Sequence, residues 1–329
     1  MKRSWPVIPA SFFGMVLGLV GMGDCWRLAH KAWDMPEVIG LVVMLSAFVV
    51  WFVLLVLYVG KWIWARDEAI AEMRHPIQSC FVGLAGVATM LAAVAIGPQA
   101  HDLAVVLFVV GAIAQVAYGV YFTGGLWMGD RDLGTATPAL YLPTVAANFV
   151  AAFVAGYLGF IAVGGLFLGA GLLSWLSLES IVSHRLSFHQ TLALPLRPTL
   201  GIMLAPPAVG LIAYMFLTGG VEGAAPDLLS QVLLGYALVK LLLLLRLMPF
   251  ILKQSFGASF WAFSFGVTAL AFDAVLFVIR GETGYIQWVA GLLFLLANIV
   301  IAVLVIGTVR LLVAGRLVPA PLLAPVPVA

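Results

Sequence analysis

Apolar residues run along this chain in long blocks, and the polar positions gather with glycine and proline in the short gaps between them. A helix needs about 20 mostly apolar residues to cross a bilayer. Ten blocks meet that length, at residues 8–29, 37–63, 77–97, 102–128, 139–160, 163–183, 198–219, 227–252, 258–279 and 285–312. The fifth and sixth are divided by Gly156, Gly159, Gly164 and Gly165, within a run from 140 to 182 that is too long for one crossing. The pattern predicts an all-α integral membrane protein with ten transmembrane helices.

Composition supports this reading. Of 329 residues, 64% are apolar and 9% are charged, whereas soluble domains carry about 25% charged residues. So few charges cannot coat a water-facing surface, and the spans leave no room for a soluble nucleotide-binding or catalytic module. One transmembrane domain is expected over residues 1–316. Residues 317–329 form a tail in which Pro319, Pro321, Pro325 and Pro327 forbid helix, so disorder is expected there.

Basic residues orient the spans, because Lys and Arg accumulate on the cytoplasmic side. On the side of the N-terminus lie eleven: Lys2, Arg3, Lys61, Arg66, Arg74, Arg131, Arg185, Arg197, Lys253, Arg310 and Arg316. The other side holds Arg27, Lys31 and Arg280, and Lys240 and Arg246 fall inside the eighth span. Both termini are therefore expected in the cytoplasm. Lys2 and Arg3 before an apolar run also suit a secretory signal, but Arg27, His30 and Lys31 follow where a cleavage site would stand. The segment reads as a retained first span.

Odd-numbered spans differ from even ones in presenting small or helix-bending residues at helical spacing. The first has Gly14, Gly18 and Gly21, the third Gly83, Gly86 and Ala93, and the fifth Pro143, Ala146, Ala147 and Val150. The seventh has Pro206, Pro207 and Gly210, and in the ninth Ala262 and Ala269 flank Phe265. Such slim faces serve either close helix packing or the wall of a pore. Pro143, Pro206 and Pro207 remove backbone hydrogen bonds, which a water-filled cavity tolerates. The second, fourth and tenth spans are bulkier, as lipid-facing helices should be.

Ionisable residues within the spans are functional candidates. They are Asp24, Glu179, Lys240, Arg246 and Asp273. Asp24 and Arg27 are spaced to pair on one helical face, and Glu179 could meet Arg246. Cys25 and Cys80 lack partners at metal or redox spacing, and the histidines lie at span ends or in loops. Phosphate-loop, zinc-protease and nucleophile-elbow motifs are absent. The sequence thus indicates neither an enzyme nor a metal, cofactor or nucleic-acid partner.

Several runs carry a more specific likeness. Arg74-His75-Pro76 opens the third span, Tyr141-Leu142-Pro143-Thr144-Val145-Ala146-Ala147-Asn148-Phe149 lies in the fifth, and Leu200-Gly201-Ile202-Met203-Leu204-Ala205-Pro206 in the seventh. Leu245-Arg246-Leu247-Met248-Pro249 and Phe260-Trp261-Ala262-Phe263-Ser264-Phe265-Gly266 follow in the eighth and ninth. In these runs, and from Ser11 to about Arg310, the chain resembles the tellurite-resistance/dicarboxylate transporter family, which includes plant slow anion channels.

That resemblance implies five helical hairpins around a central pore, the odd spans inside, and a homotrimer in the cell inner membrane whose subunits each keep a pore. It implies an anion channel or transporter associated with tellurite resistance, passing small inorganic or organic anions. The alternative is a proton-coupled carrier of dicarboxylates or lipophilic cations, using Asp273 or Glu179. The family's phenylalanine plug matches Phe265, with Phe263 the competitor on another face, and Gly266 is expected to leave room for movement. Gly14, Gly18, Gly83, Gly86, Pro143, Ala147, Pro206, Gly210, Ala262 and Ala269 are expected to line the pore.

Overall fold

The structure is a computed structural model and describes residues 5–129 and 131–323. Lys2, Arg3, Pro325 and Pro327 lie outside the described residues. Among those described, ten helices are long and apolar enough to span a membrane: Ala10–Trp33, Glu37–Trp64, Ser79–Ile96, His101–Trp127, Pro138–Tyr157, Ile161–Phe188, Leu194–Leu217, Leu228–Ile251, Ala258–Ile279 and Tyr285–Val313. They coincide with the ten apolar blocks.

Consecutive spans pack as five antiparallel hairpins. Each odd span also packs on the next odd span, and the ninth closes the ring on the first. In the odd spans 72–83% of the apolar window is buried, against 17–33% in the even ones. Five slim helices thus form an inner ring and five bulky helices surround it, with Val, Leu and Phe side chains of the even spans facing outward. In lipid no hydrophobic force drives helices together, so close contact between small residues holds such a ring.

The odd spans are irregular at the ends nearest the chain termini, where the even spans are continuous. The first begins as a 3-10 turn, Ala10–Phe13, and the ninth as another, Ala258–Phe263. In the fifth, Pro138–Tyr141 is 3-10 and Leu142–Ala146 a π-helical turn around Pro143. The seventh opens with a 3-10 stretch, Leu194–Leu204, containing Pro195 and Pro198. Such backbone is tolerated at membrane depth only when enclosed by protein or bordering a cavity. Pro206 and Pro207 occupy the first turn of the α-helical part, Ala205–Leu217, where a missing N–H costs little. Pro206 therefore does not break that helix, contrary to expectation.

A short helix that the apolar pattern did not indicate, Arg66–Arg74, connects the second and third spans. Its Glu72 is buried and ties three segments together. The carboxylate takes 2.8 Å bonds from Lys61 Nζ of the second span and from the backbone N–H of Ala10, and Tyr58 donates at 3.3 Å. Lys61 also donates to the Ile8 carbonyl at 3.2 Å. Nearly every polar atom of this pair is thus satisfied, which a charge at that depth requires.

Candidate functional site

The ring of odd spans encloses two cavities on its axis. The larger, about 460 Å³, opens on the side of the chain termini and is bordered by the irregular starts of the odd spans. Its walls include Pro9, Ser11 and Gly14 of the first span, Phe81 of the third, Leu142 and Ala146 of the fifth, and Thr199 and Ile202 of the seventh. Trp261, Ala262 and Phe265 of the ninth complete it, and the Lys61–Glu72 pair stands at its side. Leu317 and Pro319 to Leu322 of the tail border its mouth, where the N–H groups of Leu322 and Leu323 donate to the Glu68 carboxylate at 2.9 and 3.1 Å.

The smaller cavity is a void of about 10 Å³ farther along the axis. All five odd spans reach it: Val20, Gly21 and Asp24 from the first, Leu91 from the third, Phe153 from the fifth, Ile212 from the seventh, and Phe265, Ala269 and Phe272 from the ninth. A water molecule needs at least about 10–15 Å³ of such space. The void therefore cannot carry a continuous file of water.

Phe265 belongs to the walls of both cavities. Its backbone lies one residue into the α-helical part of the ninth span, Ser264–Ile279, just after the 3-10 start. The Ser264 hydroxyl donates 2.7 Å to the Trp261 carbonyl, and the Thr268 hydroxyl bonds at 3.0 Å to the Ser264 carbonyl, fixing the turn on either side. Across from the ring stands Gly21, where an added Cβ would come 3.5 Å from it. Ala262 borders the larger cavity and Ala269 the void, one on either side of Phe265 along the helix. Phe263 borders neither cavity; its ring stacks on Phe260, centroids 6.4 Å apart, and fills the space at Gly201.

Other small residues of the expected pore face serve helix packing instead. A Cβ at Gly18 would collide with Ser264, at Gly86 with the Gly111 carbonyl at 2.9 Å, and at Gly210 with the Phe149 ring at 3.1 Å. Gly83 approaches Tyr118 and Pro143. Pro143, Ala147 and Pro206 are buried but border neither cavity. Of the ten positions expected to line the pore, Gly14, Ala262 and Ala269 border the cavities, and two further small residues of the slim faces, Gly21 and Ala146, border them as well. Gly266 has no free space either: a Cβ there would meet Leu204 Cβ at 2.9 Å and the Ala205 nitrogen at 3.1 Å. The ninth span is therefore clamped to the seventh just after Phe265, and the room expected beside it is occupied.

Glu179 pairs with Lys240, not Arg246. The Lys240 ammonium lies 2.6 Å from one carboxylate oxygen, which also accepts from Tyr236 at 2.8 Å. Tyr141 and Trp175 donate to the other oxygen at 2.8 and 2.9 Å. Arg246 is exposed on the outward side of the eighth span. Lys240 and Arg246 are six residues apart, about 120° round the helix at 3.6 residues per turn, so they lie on different faces, and sequence does not state which face meets the sixth span.

Asp24 and Arg27 do pair, at 3.4 Å. Arg27 further donates to the carbonyls of Val94 and Ala95, at 3.1 and 3.3 Å, near the end of the third span. Sequence reading treated this as a structural pair and missed that Asp24 faces the axis. The available signal was its place three residues beyond Gly21, on the face that Gly14 and Gly21 share. Asp273 is fully buried, and neither carboxylate oxygen has a hydrogen-bond partner among the described residues.

The sequence matches the family of voltage-dependent anion channels, SLAC1, over residues 8–309. It is similar to the tellurite resistance protein TehA homolog of Haemophilus influenzae, with 31% identity covering 94% of this chain and 92% of that protein. It is also similar to the S-type anion channels SLAH2 and SLAH3 of Arabidopsis thaliana, at 25% and 23% identity over 82% and 93% of this chain. The matched regions span about half the length of those two plant proteins, 53% and 49%.

Proposed function

The chain belongs to the SLAC1 family of voltage-dependent anion channels, and from that membership we propose that it passes small anions along the axis of the odd-span ring and is closed by Phe265. The observation that carries this reading is the position of one side chain, which walls the wide cavity on one side and the narrow void on the other. An ion must shed water to enter such a constriction, and desolvating an isolated charge is costly. An apolar plug therefore seals without a charged gate, in the manner of hydrophobic constrictions that close by dewetting.

Opening is a movement of the ring more than of the helix. Gly266 is locked against the seventh span, so the backbone beside the plug has nowhere to go. The wide cavity of about 460 Å³ offers the ring space in the opposite direction. Rotation of Phe265 toward it would join the two cavities.

The eleven basic residues on the side of the termini support an orientation with both termini in the cytoplasm, placing the wide cavity there. The family resemblance of the sequence runs supports the cell inner membrane and a homotrimer with one pore per subunit, and the bacterial relative's name supports a link to tellurite resistance. The family is one of anion channels, which supports transport over catalysis.

One observation favours the alternative, a proton-coupled carrier of dicarboxylates or lipophilic cations: the unpartnered carboxyl of Asp273. Against it, Asp273 borders neither cavity, and Glu179 has four donors already. The deciding experiment is voltage clamp of Phe265→Ala, which should give large constitutive anion currents where the wild type gives little. Silence from this variant, with normal amounts in the membrane, would reject the plugged pore.

A further inference from the structure

The void beyond Phe265 is walled by apolar residues with one exception, Asp24. On the plugged-pore reading, an ion passing Phe265 enters the void that Asp24 borders. Among the described residues the hydrogen-bond partner of the Asp24 carboxylate is Arg27, at 3.4 Å, and the same guanidinium is shared with the carbonyls of Val94 and Ala95. Those carbonyls lie at the negative end of the third span, so they compete for the positive charge and hold it toward the rim. The Asp24 side chain is 12% exposed and that of Arg27 24%, which puts the acid deeper and the base nearer the mouth.

An anion leaving or entering the void therefore meets first-order repulsion from a carboxylate whose counter-charge is offset outward. The repulsion grows in proportion to the charge of the ion. A monovalent anion is opposed once and attracted once by the neighbouring guanidinium. A divalent anion doubles both terms, but the nearer carboxylate dominates, and its larger dehydration penalty adds to the barrier. A space of about 10 Å³ holds at most one water to screen either charge.

Resting on the plugged-pore reading, we infer that Asp24 is a specificity-determining residue that admits small monovalent anions and rejects divalent oxyanions and dicarboxylates, with Arg27 as its fixed counter-charge. The pair works as a filter in series with the plug. Phe265 decides whether ions pass, and Asp24 decides which.

The test uses the full-length protein in the Phe265→Ala background, with chloride and sulfate as the probe ions and reversal potentials under bi-ionic conditions as the readout. Adding Asp24→Asn, which keeps the size and can still hydrogen-bond Arg27, should raise the sulfate-to-chloride permeability ratio by about threefold or more and increase chloride conductance. Asp24→Glu should leave the ratio near that of Phe265→Ala alone. Arg27→Gln should lower chloride conductance. An unchanged ratio and conductance in Phe265→Ala/Asp24→Asn, with Phe265→Ala conducting, would overturn the filter while leaving the plug in place. Absence of current from Phe265→Ala itself would instead remove the plugged pore and, with it, the filter.

Discussion

The ring of Phe263 occupies the space beside Gly201 where a Cβ would lie, 2.7 Å from its nearest ring atom. Two residues later Phe265 borders both axial cavities, so two phenylalanines of one motif have different surroundings. Phe263→Ala should empty a packed site and cost about 3–5 kcal/mol. The expected outcome is a lower melting temperature in detergent and less folded protein, with no new current. Gly201→Ala should produce the same loss by forcing the ring aside. Conduction by Phe263→Ala at normal stability would move the gate to this residue.

Glu179 and Lys240 join the sixth and eighth spans through a pair with every carboxylate oxygen engaged. Removing one partner leaves the other charge poorly solvated, at a cost of about 3 kcal/mol. Lys240→Met should accordingly lower thermal stability more than the double variant Glu179→Gln/Lys240→Met does. The pair stands away from both cavities, so anion selectivity in the Phe265→Ala background should stay unchanged in each. A double variant no more stable than Lys240→Met alone would show that the carboxylate does not need its ammonium partner.

Much of the architecture was legible because lipid imposes a simple rule on composition: slim inner helices, bulky outer ones. The odd and even spans separate in burial as the glycine, alanine and proline stripes predicted. The site was less legible. Gly18, Gly86 and Gly210 look like Gly14 in sequence, since a glycine that admits a neighbouring helix and one that widens a cavity both lack a side chain. Only the rotation of each helix distinguishes them. The same ignorance of rotation hid Asp24 on the axis and made Arg246 a plausible partner for Glu179. The helix Arg66–Arg74 escaped because it is short and polar, and its one decisive residue, Glu72, is held by contacts 11 and 62 residues away in sequence.

Asp227 caps the eighth span from outside the membrane-spanning segment. Its carboxylate accepts 2.9 Å bonds from the N–H and hydroxyl of Ser230 and a further bond from the Tyr214 hydroxyl. The Tyr214 hydroxyl first, and the Ser230 N–H after it, hold this carboxyl below the usual carboxylate range. A depressed folded-state pKa means that the contribution is present above the unfolded value of about 4 and is lost as pH falls through the folded one. Melting temperature should therefore drop on acidification below about pH 4, and Asp227→Asn should flatten that dependence. An identical pH profile for the two proteins would show that the cap contributes nothing through its charge.

Asp273 separates the two transport readings. The carboxyl lies wholly buried in the ninth span with no hydrogen-bond partner among the described residues, and it borders neither cavity. A buried polar group left unpaired costs about 1–3 kcal/mol, so an apolar replacement of similar size should stabilise the fold. Asp273→Leu is expected to raise the melting temperature, and Asp273→Asn to leave it nearly unchanged. Since ions passing the axis do not meet this side chain, both variants should keep the currents of the Phe265→Ala background. A coupled carrier demands the reverse: transport that collapses with the pH gradient and is abolished by Asp273→Asn while the protein remains folded. That pattern would make Asp273 the proton site and replace the plugged channel with a carrier.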